Sequence, residues 1–432
     1  MKVKATTLDA YNLLHQGSLV MAEMELNGIR IDTKYIINIQ KKIQKRIDDL
    51  TEELKQDKIY KLWKKVYGDK VKMSSREQLA NILFGKMKIP CETKTKSESR
   101  YAADEETLED TGLPFAKKYL QCEKLKTART RYLANILRET VDGYLHPNFS
   151  LNTVRSYRGS SDHPNFQNMP MRDPLIKKLV RRSFIARKGH RIVDKDFKGS
   201  EVNAASWYHK DPVMLKYIAE DPGRMHTDAA KQIYKLSSKE MTPDIRHCGK
   251  NMFVFPQFYG DWWLSCSKAL WRAINIQNLK TAEGMPLKKW LSKKEIPDFD
   301  TFAEHVKDVE EDFWYNKFKV YQKWKDDWWD NYQKNGFFQM FSGFMVSGYI
   351  DRKKCINYPI QGTAFHCLLW CLIEIQRLLR KYKMKTKLIG QIHDDAVSDV
   401  PENELEDYIE LATEVITKRL PKHWPWIITP MR

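Results

Sequence analysis

Two short acidic clusters are the groups in this 432-residue sequence whose type and placement best suit chemistry. Asp194-Lys195-Asp196 ends the apolar run RIVDKDF, and Asp394-Asp395 interrupts LIGQIHDDAVSDV, so each sits where a β-like stretch meets a turn. Asp196 and Asp394 are far apart along the chain, yet two strands of one sheet would bring them together. Carboxylates gathered beside a phosphate repel unless divalent cations lie between them, and paired cations stabilise both the attacking and the leaving oxygen of an in-line displacement. A lone acidic pair is more often a solvated surface feature, so this reading needs support from the rest of the chain.

Arg246 and Lys250 give part of that support. Four residues apart on a helix they share a face, and Thr242 as cap with Pro243 at the first helical position puts that face in the opening turns. Both side chains and the helix N-terminus favour a bound phosphate. In isolation the pair would read as ordinary surface charge.

The elements that must position these groups follow from periodicity. Gly28 to Asp32 reads as a turn and a brief strand, with Thr33 capping the helix that follows. Apolar residues at Ile39, Ile43, Ile47, Leu50 and Leu54 form one helical stripe. A second helix over about 115–140 buries Leu120, Leu125, Leu133 and Leu137 and exposes Lys124, Lys126, Arg129 and Arg131, which suits an antiparallel pairing with the first. Between them the basic segment 94–100 (KTKSESR) reads either as a loop that touches a nucleic-acid backbone or, equally well by itself, as a solvated loop. In RRSFIARKGHRIVDKDF two β-rich runs flank the Lys188-Gly189 turn and read as paired strands. Helical patterns fill most of 201–335, with Trp314, Trp324, Trp328 and Trp329 at core spacing, and Pro256 would break the helix that carries Lys250. A helix over 360–381, the strand around Asp394, a final helix and a short C-terminal strand complete the chain.

Composition narrows the class. With 42% hydrophobic and 12% aromatic residues, the chain can build two or three cored domains. Its 74 Lys and Arg against 56 Asp and Glu leave a formal charge of +18, spread along the chain, which points to a polyanionic partner. Seven cysteines without a C-x-x-C pair argue against a disulfide framework and a structural zinc, hence for a reduced, intracellular protein. No apolar run approaches the length of a membrane span, and the first residues lack the core of a secretory signal.

Asp196-Phe197-Lys198-Gly199-Ser200-Glu201 resembles the first catalytic motif of family A DNA polymerases, and Gln391-Ile392-His393-Asp394-Asp395 is similar to the family's His-Asp-Glu hairpin, with Asp in the last place. Between them Arg246-x-x-x-Lys250 followed by Phe258-Tyr259-Gly260 resembles the nucleotide-binding helix of the fingers, and Asn357-Tyr358-Pro359-Ile360-Gln361-Gly362-Thr363-Ala364 adds a fourth motif in order. Ser74-Ser75-Arg76-Glu77-Gln78-Leu79 looks like a thumb element, and SSDHPNFQNMP like the stretch leading into the palm. The chain thus resembles the family from about Glu23 to Pro401, in a phage-type form restricted to the polymerase module.

That resemblance implies an α+β right-hand fold with an antiparallel-sheet palm, helical fingers and a helical thumb. Its segments would be 1–34 as lead-in, 35–145 as thumb, 146–212 and 346–432 as palm, and 213–345 as fingers. The implied activity is template-directed DNA synthesis from dNTPs on a primer–template. Asp196 and Asp394, with Asp395, would hold two Mg²⁺ ions, for which Mn²⁺ substitutes, and Lys250 would be a further catalytic residue, protonating the leaving pyrophosphate. Arg246, Lys250 and His226 would bind the triphosphate, and Glu201 would exclude a 2′-hydroxyl. Phe255 and Tyr259 would stack near the nascent pair, although counting forward from Lys250 puts Val254 where counting back from Tyr259 puts Phe255, as if one residue were inserted. Arg158, Asn165, Gln167, Asn357, Gln361 and His393 would contact the minor groove, where acceptors common to every correct pair let geometry be checked without reading sequence.

The few residues before Gly28 leave no room for an exonuclease domain, so proofreading is expected in trans, from a monomer in the cytoplasm of a bacterium or phage-infected cell, with a processivity factor as a further partner; the abrupt end at Arg432 suits a trimmed chain. The competing readings are a single-subunit RNA polymerase and an inactive nucleic-acid-binding factor.

Overall fold

Apolar stripes at helical spacing and a few short β runs sort the chain into two packed units. The computed structural model describes residues 5–91, 101–170 and 173–429. One unit comprises Glu25–Asn148 and Ser161–Ile192, the other Met1–Met24, Phe149–Ser160 and Val193–Arg432.

In the first unit the helix Thr33–Gln56 buries Ile36, Ile43, Ile47, Leu50 and Leu54, each such burial contributing about 1.5–3 kcal/mol. Its cap is Asp32, whose carboxylate accepts from Tyr35 N at 2.8 Å, and not Thr33 as the sequence suggested. A carboxylate one residue earlier does the same work with the added advantage of charge at the positive end of the helix. The partner runs as Pro114–Thr127, a wide turn Ala128–Leu133, and Ala134–Glu139. Gln40 meets Arg129 O at 3.4 Å and Glu53 pairs with Lys118 at 2.7 Å, so the two helices are antiparallel. Of the four basic residues expected to be exposed here only Arg131 is; Lys124 is half-buried against Glu105 and Asp173, and Lys126 against Glu123. The basic segment 94–100 lies outside the described residues.

The expected strand pair around Lys188-Gly189 does not form. Phe184 bridges to Ile31 and Ile185 N donates to Arg30 O, while the run after the turn joins another sheet. That sheet has the order His190–Asp196, Asp395–Pro401, Lys387–Ile392, its last two strands forming an antiparallel hairpin in the second unit. Against it packs Arg352–Lys381, a helix starting eight residues before its expected position because Asp351 caps it and Pro359 is accommodated. Proline has no N–H for the carbonyl of Cys355, and the indole of Trp328 takes that carbonyl instead, at 3.2 Å. Trp314 is buried, and Trp324 and Trp328 pack around Tyr208, as core spacing predicts. The chain ends in helical turns to His423; residues 424–429 form no strand. Among the described residues no helix is long and apolar enough to cross a membrane.

Candidate active site

The strand His190–Asp196 delivers Asp196 at its last position, and alternation puts Asp194 on the same face. The hairpin pairs Ile392 with Asp395, so His393 and Asp394 alone make the turn, with His393 at φ +56°. Carboxylate oxygens of Asp196, Asp394 and Asp395 lie within 4.8 Å of one another. Burial and the carboxylates of Asp194, Asp196 and Asp394 push the Asp395 carboxyl up to about 8. Crowding of this kind marks a negative charge in want of a cation. Hard oxygen donors at this spacing fit a small divalent ion such as Mg²⁺ or Mn²⁺.

Gly199, at φ +66°, turns the chain from this strand into the helix Ser200–His209, whose first residues point back at the acids. Ser200 donates to Asp394 Oδ2 at 2.7 Å. Glu201 is held from two sides, by the Tyr259 hydroxyl as donor and by Arg158 at 3.7 Å. Burial, then the Glu201 charge, raises the Tyr259 phenol well above its usual value, so it remains a donor. Asn357 donates to Tyr259 O at 3.2 Å, and Gln361 joins Glu201, Phe255, Tyr259 and Asn357 around one apolar cleft. Burial, then the Arg158 charge, lowers the pKa of His393.

The cationic side begins with Pro243–Gly249, capped by Thr242 as expected. Arg246 is braced by Thr227 at 3.2 Å and Gly223 O at 3.1 Å. From Lys250 to Val254 the helix widens, and Phe255 N–H donates to Lys250 O. A turn of this type holds one residue more than an α turn, which is the residue the sequence shows as inserted. The helix therefore continues to Phe258, and Pro256 falls in the first turn after the wide segment, where its missing N–H does not end it. Val254 becomes core, while the Phe255 ring lies 5.1 Å from Lys250 Nζ and 5.5 Å, edge-on, from the His226 ring.

His226 is buried, and its Nδ1 has no hydrogen-bond partner among the described residues. Burial, then the charges of Lys250 and Arg246, depresses it to about 4, so the imidazole is neutral near pH 7. Its unfolded value is about 6.5, so the unfolded chain binds the extra proton first and His226 costs stability as pH falls from about 6.5 towards 4. Asp395 acts in the opposite sense, and only a difference isolates the histidine. We expect chemical denaturation of the His226→Gln variant and its parent to diverge in the variant's favour on acidification from pH 7 to 4.5, by up to about 3 kcal/mol.

Asp196, Asp394, Asp395, Glu201, Tyr259, Arg158, Asn357, Gln361 and His393 thus gather around the hairpin, and Arg246, Lys250, His226 and Phe255 form the adjoining cationic wall. Asn165 and Gln167 belong to the other unit, where Asn165 caps a short turn by accepting from Asn168 N at 3.0 Å. Sequence reasoning did not assign Ser200, Thr227 or Asp194 to the site. Two-residue alternation with Asp196 was a signal for Asp194; for Ser200 it was its place one residue before Glu201, and Thr227 gave none.

The family model for DNA polymerase family A matches residues 34–424. Thermostable DNA polymerase I of Thermus thermophilus is 24% identical over 419 residues, covering 94% of this chain and 45% of its own length. DNA polymerase I of Chloroflexus aurantiacus is 24% identical, with 92% and 40% covered, and that of Lactococcus lactis subsp. cremoris 25%, with 93% and 42%. The chain spans less than half the length of these relatives. Among solved structures, the POL domain of Pol1 from M. smegmatis, in complex with DNA primer-template and dNTP, superposes with a TM-score of 0.76 at 20% identity over 96% of this chain and 68% of that one. The two share the α+β right-hand fold, with helices around small antiparallel sheets.

Proposed function

Since the chain belongs to DNA polymerase family A, we propose that it catalyses template-directed DNA synthesis, adding a deoxynucleoside monophosphate from a dNTP to a primer 3′-hydroxyl. The observation that carries this reading is the gathering of Asp196, Asp394 and Asp395 within 4.8 Å, beside Glu201 and the Arg246–Lys250 wall. Divalent cations, Mg²⁺ or in its place Mn²⁺, held by Asp196 and Asp394 with Asp395 beside them, would supply charge neutralisation at the attacking and leaving oxygens.

The chain's own groups bind and orient. Arg246 and Lys250 take the triphosphate as cations, and His226, neutral, stands beside them as a third binding group. Glu201, fixed by Tyr259 and Arg158, lies under the sugar of the incoming nucleotide. Phe255 and Tyr259 flank the nascent pair. Arg158, His393, Asn357 and Gln361 face minor-groove acceptors that every correct pair presents, and minor-groove contact is likewise the role proposed for Asn165 and Gln167. In this reading 35–145 acts as thumb, 213–345 as fingers, and 146–212 with 346–432 as palm. Primer extension with dNTPs and Mg²⁺ tests the function; no incorporation by a folded protein would refute it.

The sugar filter has its own test. Removing the Glu201 carboxylate opens space for a 2′-hydroxyl, so Glu201→Ala should raise the kcat/KM for a ribonucleotide relative to the matching deoxynucleotide by roughly tenfold or more. Tyr259→Phe, which removes the donor that fixes Glu201, should move the ratio the same way by less. An unchanged ratio takes the role from Glu201, and an unaltered chain that prefers ribonucleotides favours an RNA polymerase.

A further inference from the structure

Gln257 stands between Phe255 and Tyr259 in the helix that forms the nucleotide wall, and residues two apart on a helix face different ways. Its side chain therefore leaves the site and enters the core, where it is 2% exposed. Burying an amide costs stability unless its groups are paired. Here they are paired: Gln257 Oε1 accepts from Trp314 Nε1 at 2.7 Å, and Nε2 donates to a carboxylate oxygen of Glu310 and, at 3.6 Å, to Cys266 Sγ.

These partners belong to other helical segments. Cys266 lies in Trp263–Ile276, Glu310 near the end of Phe299–Glu311, and Trp314 in the wide turn Asp312–Lys317 that follows it. The network is itself held from behind. Lys325 Nζ, from the helix Lys319–Asn335, lies 3.1 Å from the centroid of the Trp314 ring, so the indole is fixed on its face as well as at its N–H. Burial raises the Glu310 carboxyl, and the bond from Gln257 opposes that shift, so amide and carboxyl are matched to each other.

The next residue, Phe258, sits among Phe313, Trp314, Phe318 and Tyr321 with ring centroids 5.9 to 6.5 Å away. Apolar packing of that kind holds a helix in place without fixing its roll about its own axis, whereas hydrogen bonds converging on one amide do fix it. A roll would displace both neighbours of Gln257: Phe255, whose ring lies against Lys250 and His226, and Tyr259, whose hydroxyl donates to Glu201. We propose that Gln257 is a positioning residue for nucleotide addition, its bonds to Trp314, Glu310 and Cys266 setting the roll of this helix and through it the places of Lys250, Phe255 and Tyr259. The inference rests on the polymerase reading of the preceding section.

The test is single-nucleotide incorporation by the full chain on a primer–template, read as KM for the dNTP and as the ratio of ribonucleotide to deoxynucleotide kcat/KM. Neither quantity depends on how much of a preparation is folded, so a loss of stability alone moves neither. Gln257→Leu, similar in size and unable to hydrogen-bond, should raise KM roughly fivefold or more and the ratio roughly threefold or more, because the helix is free to roll. Gln257→Glu sets two carboxyl groups together and should act the same way. Adding Glu310→Gln to it restores a donor and an acceptor in reversed places and should bring both values back to within about twofold of the parent. Parent-like values in Gln257→Leu and Gln257→Glu would leave the residue a stabilising one only, and a double variant no better than Gln257→Glu would take the Glu310 bond out of the argument; either overturns the proposal. Should Gln257→Leu fail to fold, the comparison of Gln257→Glu with the double variant decides. A parent that incorporates nothing overturns the polymerase reading itself.

Discussion

Asp394→Asn is expected to reduce nucleotide incorporation by about a thousandfold or more, about 4 kcal/mol at the barrier, with primer–template affinity held or slightly raised. Asp394 stands at the apex of a two-residue turn, shares its oxygens' neighbourhood with Asp196 and Asp395, and is oriented by Ser200 at 2.7 Å. Asparagine keeps the shape and the bond from Ser200 but removes one negative charge from a cluster in which Asp395 is already driven to protonate by its neighbours. Ground-state binding of a polyanion should therefore not suffer, since a repulsive charge has gone. What is lost is the hard anionic ligand that a divalent ion needs while charge moves between oxygens. Thermal unfolding gives an independent reading. Millimolar Mg²⁺ or Mn²⁺ should raise the Tm of the parent by mass action and raise that of Asp394→Asn much less. A variant that loses DNA affinity in proportion to turnover, or gains the full metal shift in Tm, would place the acids outside the chemistry.

The acids were legible because both signals are local. A strand ending in Asp196 and a strand broken by Asp394-Asp395 can be read from a dozen residues each, and so can the stripe that buries Ile43, Ile47, Leu50 and Leu54. What escaped the sequence is the part settled by distant partners. The run at 183–185 pairs with residues near Arg30 and not with its own neighbour across Lys188-Gly189, because strand pairing is a choice among remote edges. The helix was expected to begin only at 360, after Pro359, and it runs through that proline with Trp328, from another helix, supplying a donor to the carbonyl the proline cannot bond. The inserted residue between Lys250 and Phe255 was visible as a clash of register, but propensity has no term for a wide turn, which packing of Val254 into the core and Phe255 onto Lys250 decides. Asp194 was not assigned to the site although two-residue alternation puts it on the face of Asp196; its effect on Asp395 depends on the pairing of two strands remote in sequence.

That wide turn also sets the second large effect. Lys250→Ala is expected to cut kcat by about a hundredfold, about 3 kcal/mol, while leaving primer–template affinity within about twofold. Lys250 opens the widened segment one helical turn beyond Arg246, its ammonium 5.1 Å from the Phe255 ring and close enough to His226 to help keep that imidazole neutral. With His226 uncharged, Lys250 and Arg246 are the two cations of this wall, and Arg246 is already braced by Thr227 and Gly223. Lys250 is therefore the cation free to follow charge as it develops on a departing pyrophosphate. Arginine distinguishes position from proton. Lys250→Arg keeps the charge but carries a group that does not give up its proton near neutral pH. If Lys250 only neutralises charge, Lys250→Arg should recover most of kcat; if it also donates a proton, KM for the nucleotide should recover while kcat remains about tenfold low and loses the alkaline limb that deprotonation of a lysine produces. A defect in Lys250→Ala expressed mainly as weakened DNA binding, with kcat near that of the parent, would move Lys250 out of the nucleotide site.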